Sequence, residues 1–113
     1  MAAVGGPYCA TYGEITPRGV STLARRLDLG EEDVFVDCGS GLGRAVMQAA
    51  AQFGVRRAVG IEFATSRHRL AEKALADEAD AAVAARVHLI AGDCADAALW
   101  AEPPLSDLSL IHI

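Results

Sequence analysis

At 113 residues with 52% hydrophobic side chains, the chain is long enough for one small domain and too apolar to be disordered. Its formal net charge of −5 argues against a nucleic-acid binder, which presents a basic face. The three cysteines at 9, 38 and 94 form no C-x-x-C pair, and histidines 68, 88 and 112 lack metal-ligand spacing, so neither a disulfide scaffold nor a metal site is expected.

Residues 1–11 are small and contain Gly and Pro, which predicts a flexible lead-in to a domain over 12–113. Thr16-Pro17 opens a helix, with Thr as N-cap and Pro at the first helical position. That helix is expected to reach Leu27, with Val20, Leu23, Ala24 and Leu27 on one face. Gly30 and the acidic run Glu31-Glu32-Asp33 turn the chain into a first strand over Asp33–Cys38, apolar on both faces as in a buried parallel sheet. Arg44–Phe53 is rich in Ala, Val, Met and Gln and reads as a second helix, with Gly54 as its stop.

Arg57–Glu62 is a second short apolar strand. Thr65 or Ser66 then caps a long helix to Ala85, with Leu70, Ala74, Ala81 and Ala85 toward the sheet. Arg86–Ala91 is a third strand, Ala98–Trp100 a short helix stopped by Pro103-Pro104, and Asp107–Ile113 a fourth strand. Alternating strands and helices imply an α/β fold with a parallel sheet and right-handed crossovers. The expected strand order is 3-2-1-4, half of a Rossmann-like doubly wound sheet. The arginines at 25–26, 56–57, and 67 with 69 read as solvated groups.

No apolar run approaches the roughly 18 residues that span a bilayer. The N-terminus lacks a basic region followed by an apolar stretch, so no signal peptide is expected. The unpaired cysteines fit a reducing, intracellular compartment.

The chemistry concentrates where the strands end. Val34–Arg44 reads VFVDCGSGLGR, an acidic strand end followed by glycines at 39, 41 and 43. Dinucleotide sites space their glycines G-x-G-x-x-G. Here the third arrives one residue early. Glycines permit positive φ and close approach of a ligand to the backbone. The helix start that follows offers backbone N–H groups to an anion. A tight strand-to-helix turn with no ligand explains the loop equally well in isolation. Glu62, at the end of the second strand, stands near the ~20-residue offset at which a strand-end acid reaches ribose hydroxyls. Its carboxylate has the capacity to accept hydrogen bonds from both hydroxyls of the diol. The third strand runs into Gly92-Asp93, which also fits a turn or a helix cap.

The G-x-G-x-G spacing resembles motif I of class I S-adenosylmethionine-dependent methyltransferases. Gly92-Asp93 is similar to the motif whose Asp bonds the adenine amino group. Tyr12-Gly13-Glu14, joined to VFVDCGSGLGR, to GIE at 60–62 and to GD at 92–93, resembles the Dot1 family of histone H3 lysine methyltransferases over residues 8–113. The resemblance implies S-adenosylmethionine as cofactor, with contacts from Asp37, Gly39, Gly41, Glu62 and Asp93. It gives Gly43 a role in close helix packing and places Glu14 and Thr16 at the cofactor's methionine end. It also implies histone H3 in the nucleosome as partner and a nuclear location.

The chain departs from the family at Cys38, where Leu is common. It departs again after the fourth strand, where His112 takes the place of the first Asn of an Asn-rich, aromatic segment. No catalytic residue is assigned, and a truncated domain is expected. Three other readings share these features. One is a methyltransferase acting on a small molecule or non-histone protein. Another is a cofactor-binding fragment without catalysis. The third, a nicotinamide-dependent oxidoreductase, is disfavoured by the glycine spacing.

Overall fold

In the computed structural model of this protein, residues 15–105 are described, together with the backbone of 111–112. Helix α1 spans Pro17–Leu27, and the Thr16 hydroxyl caps it by accepting the Gly19 N–H at 3.0 Å. Thr16→Ala removes the acceptor for an orphan helix N–H. We expect it to lower unfolding stability by about 1 kcal/mol, read from urea titration.

The helix ends on Asp28, which carries the turn at φ 55°. Val20 and Ala24 are buried, but Leu27 is 39% exposed, contrary to the expected face. The next residue able to reach the core is Leu29, beyond the left-handed turn, and it fills that place.

Strands β1 (Val34–Cys38), β2 (Arg57–Glu62) and β3 (Val87–Ala91) lie parallel, with β2 paired to both others. Asp33 stands outside β1 and folds back on Gly30, whose N–H it accepts through Oδ2 at 2.9 Å. Of the expected fourth strand, only Ile111–His112, here β4, is described, and it pairs in parallel with Val34-Phe35. Residues 107–110 and 113 lie outside the described residues.

Side chains alternate across the sheet as the pleat requires. Phe35, Ala58 and Val87 enter one core with Ala24, Leu29, Val46, Ala49, Ala50 and Val55. Val34, Val36, Val59 and Ile61 enter the other with Leu105, flanked by Leu99 and Trp100. Helix α2 (Arg44–Gln52) lies in the first layer. It is tied to α1 by Gln48, whose Nε2 donates to the Pro17 carbonyl at 2.9 Å. The second layer is supplied by the segment after β3, which contains the one-turn helix α5 (Ala97–Trp100).

The long helix expected over residues 65–85 is two helices. Helix α3 spans Thr65–Glu78 and α4 spans Ala81–Ala84. Ala79 at ψ 142° leaves the helical region, and Asp80 restarts the chain by accepting the Val83 N–H at 2.9 Å. The N-cap of α3 is Ala64, so neither Thr65 nor Ser66 caps it.

The sheet-facing stripe of α3 also differs from the expected one. Ala71 is 1% exposed and Leu75 packs on the core, whereas Leu70 is 55% exposed. Ala81 and Ala85 are exposed. The small Cβ of Ala71 is what fits against Gly43 at the start of α2, and that contact sets the helix rotation.

Candidate cofactor site

The carboxyl ends of β1, β2 and β3 lie level. Cys38 is in register with Ile61, and Ile61 with Ile90. In parallel α/β sheets this edge is where ligands bind. The loop after β1 is pinned to β2 there. The N–H groups of Gly39 and Ser40 both donate to the Ile61 carbonyl, at 2.7 and 3.0 Å, and the Gly43 N–H closes the turn on the Ser40 carbonyl at 2.8 Å.

Gly39, Gly41 and Gly43 all have positive φ, at 80°, 58° and 81°. Two of them do different work. A Cβ on Gly39 would meet nothing within 4 Å, so open space lies against the backbone. A Cβ on Gly43 would stand 3.3 Å from the Ala71 Cβ, so this glycine lets α2 and α3 close up.

Glu62 is the best-defined group at this edge, at 4% exposed. Its Oε1 accepts the Gly41 N–H at 2.7 Å, across 21 residues of sequence. Its Oε2 accepts the Ala64 N–H at 2.9 Å, which satisfies the start of α3. Arg67 completes the set, with Nε at 3.2 Å and Nη2 at 3.1 Å from Oε2. Burying a carboxylate is costly unless it is paired and hydrogen-bonded, and here it is both. Arg67 is therefore not the solvated group expected from sequence. A cation in a first helical turn opposes the macrodipole, and that misfit was the available signal for a partner.

Two further residues escaped the sequence reading. Gly60 lies under Ser40. A Cβ there would stand 2.7 Å from the Ser40 Oγ and 2.8 Å from its Cβ. Glycine inside a strand often marks such a close approach.

The remaining site candidates are placed unevenly. Asp37 is half-buried, one residue before the end of β1 and in register with Gly60. Asp93 follows Gly92, whose N–H donates to the Glu62 carbonyl oxygen at 3.0 Å. The Asp93 side chain is exposed and turns the chain by accepting the Ala95 N–H at 2.9 Å. Thr16 caps α1 and precedes Pro17, whose carbonyl accepts from Gln48 Nε2 in the second turn of α2. Gln48 is one turn from Arg44, about 6 Å along the axis at the usual helical rise. Tyr12, Gly13 and Glu14 lie outside the described residues, as does Cys9.

Cys38 and Cys94 pack on the same core cluster. Burial, with the Cys94 thiol beside it, pushes the Cys38 thiol up to about 12. It stays protonated at neutral pH and is a poor nucleophile. His88, half-buried on β3, is held below its ordinary value by burial and by the Arg57 charge. Among the described residues no group of three or more His, Cys, Asp or Glu side chains is placed to hold a metal ion. No helix among them is long and apolar enough to cross a membrane.

The family model described as "Histone methylation protein DOT1" matches residues 8–84, more than half of the chain. The chain belongs to the DOT1 family. Curated histone-lysine N-methyltransferases are similar to the chain over part of its length. The "Histone-lysine N-methyltransferase, H3 lysine-79 specific" of Caenorhabditis elegans is 44% identical over 52 residues, covering 46% of this chain and 6% of that protein. The protein of the same description from Yarrowia lipolytica is 44% identical over 62 residues, covering 55% of this chain and 12% of that protein. The chain thus spans a small part of these relatives.

Solved structures place the DOT1 chain among class I methyltransferase folds. An RNA methyltransferase from Salinibacter ruber, in complex with S-adenosylhomocysteine, superposes with a TM-score of 0.67 at 34% identity, over 75% of this chain and 53% of that one. A S-adenosylmethionine-dependent methyltransferase from Geobacter sulfurreducens, also with S-adenosylhomocysteine, gives 0.60 at 27% identity, over 75% and 34%.

Proposed function

We propose that this DOT1-family chain binds S-adenosylmethionine at the carboxyl edge of β1–β3 and belongs to a protein-lysine methyltransferase acting on histone H3. The observation that carries the reading is Glu62, buried at its strand end and joined to the glycine loop through Gly41. The residues present fit the cofactor. Open space lies against Gly39, and Gly43 provides no side chain to cap α2, which suits a carboxylate-bearing ligand at a helix start. Glu62 accepts from ribose. Asp37 and the backbone at Gly39 and Gly41 line the loop side, Asp93 takes the adenine amino group, and Glu14 and Thr16 border the methionine end.

S-adenosylmethionine supplies a methyl group already activated on a sulfonium. The chain's residues then contribute position more than acid–base chemistry. The neighbours of β1 support a further reading, that the sheet is half of a doubly wound sheet of order 3-2-1-4. The organisation as one domain over 12–113 and a nuclear, nucleosome-associated role follow from the same reading.

Two measurements test it. Calorimetry with S-adenosylhomocysteine should give a single site, and absence of heat at high micromolar ligand rejects cofactor binding. Transfer of labelled methyl to nucleosomes, free histone H3 and RNA tests the acceptor. Label on H3 alone is expected, and label on RNA alone rejects the histone reading.

A further inference from the structure

Cys38 closes β1 one residue before Gly39, and Cys94 follows Asp93 on the loop after β3. Far apart in sequence, the two pack on the same apolar cluster, which also holds Ile61 and Ile90. Both are free thiols and half-buried. The Cys94 side chain is a hydrogen-bonding neighbour of Cys38. Leu is common at position 38 in the family, so filling the cluster does not require sulfur there.

We propose that Cys38 and Cys94 form a redox modification site: a low-molecular-weight disulfide such as oxidised glutathione converts the pair to a disulfide that ties the end of β1 to the loop after β3. The Cys94 thiolate attacks one glutathione sulfur, the glutathione S–S bond breaks, and one glutathione leaves as a thiolate. The Cys38 thiolate then attacks the Cys94 sulfur of the mixed disulfide and displaces the second glutathione. The two thiol protons end on the two reduced glutathiones. The protein pair loses two electrons and the glutathione disulfide gains them.

The second step is the slow one. Burial, the Cys94 thiol and the Asp37 charge hold Cys38 protonated at neutral pH. Its rare thiolate is intrinsically a strong nucleophile, and the target sulfur is already in place beside it. Inside a reducing compartment such a bond is transient and regulatory, not structural.

The bond has a consequence at the edge of the sheet, and this part rests on the cofactor reading above. Noncovalent neighbours stand about 3.5–4 Å apart, and bonded sulfurs about 2 Å. Oxidation therefore draws the two backbones together by about 1 Å. Strand β1 is paired on both sides, whereas Asp93, Ala95 and Asp96 are exposed. The loop after β3 gives way. A shift of that size at Asp93 exceeds the tolerance of a hydrogen bond, so oxidation should weaken S-adenosylhomocysteine binding about tenfold.

The test incubates the whole chain with oxidised glutathione at mildly alkaline pH, followed by tryptic peptide mapping. Arginines at 18, 26, 44 and 86 put Cys9, Cys38 and Cys94 on separate peptides. The expected product joins the peptides of Cys38 and Cys94 within one chain, and dithiothreitol reverses it. Cys38→Ala should stop at a glutathione adduct on Cys94. Cys94→Ser should leave Cys38 reduced.

A stable adduct on Cys94 with Cys38 still reduced in the unaltered chain overturns the proposal. So do unchanged thiols, a bond to Cys9, or a bond between two chains. The unaltered chain decides alone if neither variant folds. Calorimetry then compares the reduced and oxidised forms, and equal affinity overturns the effect on the edge. Failure of the reduced form to bind rejects the cofactor reading, an outcome separate from the peptide map.

Discussion

Replacing Glu62 by Ala should lower unfolding stability by about 3 kcal/mol and abolish measurable S-adenosylhomocysteine binding. The carboxylate satisfies a buried backbone donor at Gly41, the N–H of Ala64 at the N-cap of α3, and the Arg67 guanidinium. Removing one partner of a buried ion pair typically costs about 3–5 kcal/mol, because the other charge is stranded. The Arg67 side chain is 29% exposed and recovers part of its hydration, which sets the expectation at the lower end. Two orphaned backbone donors work in the opposite direction.

Urea unfolding of Glu62→Ala and Glu62→Gln would separate these terms. The Gln variant keeps the shape and one acceptor, and should lose about half as much. A loss below about 1 kcal/mol in the Ala variant would show that the clamp between loop, strand and helix does not form in solution.

Gly60→Ala should destabilise the chain by about 2 kcal/mol although it adds a single methyl group. Gly60 lies in the central strand β2, in register with Asp37 on one side and Leu89 on the other. The new Cβ would stand 2.7 Å from the Ser40 Oγ, 2.8 Å from the Ser40 Cβ and 3.0 Å from the Val46 Cγ2. Rotating the Ser40 hydroxyl away relieves only the first contact. The Ser40 backbone cannot yield freely, since its N–H is held by the Ile61 carbonyl and its carbonyl by Gly43.

The strain is therefore passed to the loop carrying Gly39 and Gly41. Weaker S-adenosylhomocysteine binding should accompany the loss of stability. Ser40→Gly in the same chain removes both of the closest contacts. The double variant should be more stable than Gly60→Ala alone, a non-additivity that a double-mutant cycle measures. Additive losses would show that the two residues do not touch.

Much of the architecture was readable along the chain because its signals are local. Thr16-Pro17 opens α1 through one side-chain oxygen three residues from its donor. Gly54, at φ 62°, follows the end of α2 where a residue with no Cβ is needed. Strand β2 spans Arg57–Glu62, the bounds expected from its short apolar run and the acid that closes it.

The alanine-rich stretch from 71 to 85 was not readable in the same way. Alanine favours a helix at every position and marks no face, so neither the break at Ala79 nor the rotation of α3 is written there. Asp80 was the one local cue to the restart.

The glycine spacing at 39, 41 and 43 and the strand-end acids at 37, 62 and 93 belong to the sequence, and they identify the carboxyl edge of the sheet as the place for a ligand. What that edge can do was decided by contacts between distant residues. Gly41 meets Glu62 across 21 positions, Gly43 meets Ala71, and Arg67 reaches back from α3 to fill one carboxylate oxygen. Periodicity and capping describe neighbours a few residues apart. The partners of Glu62 depend on which loop and which helix converge on it, and only the packed chain fixes that.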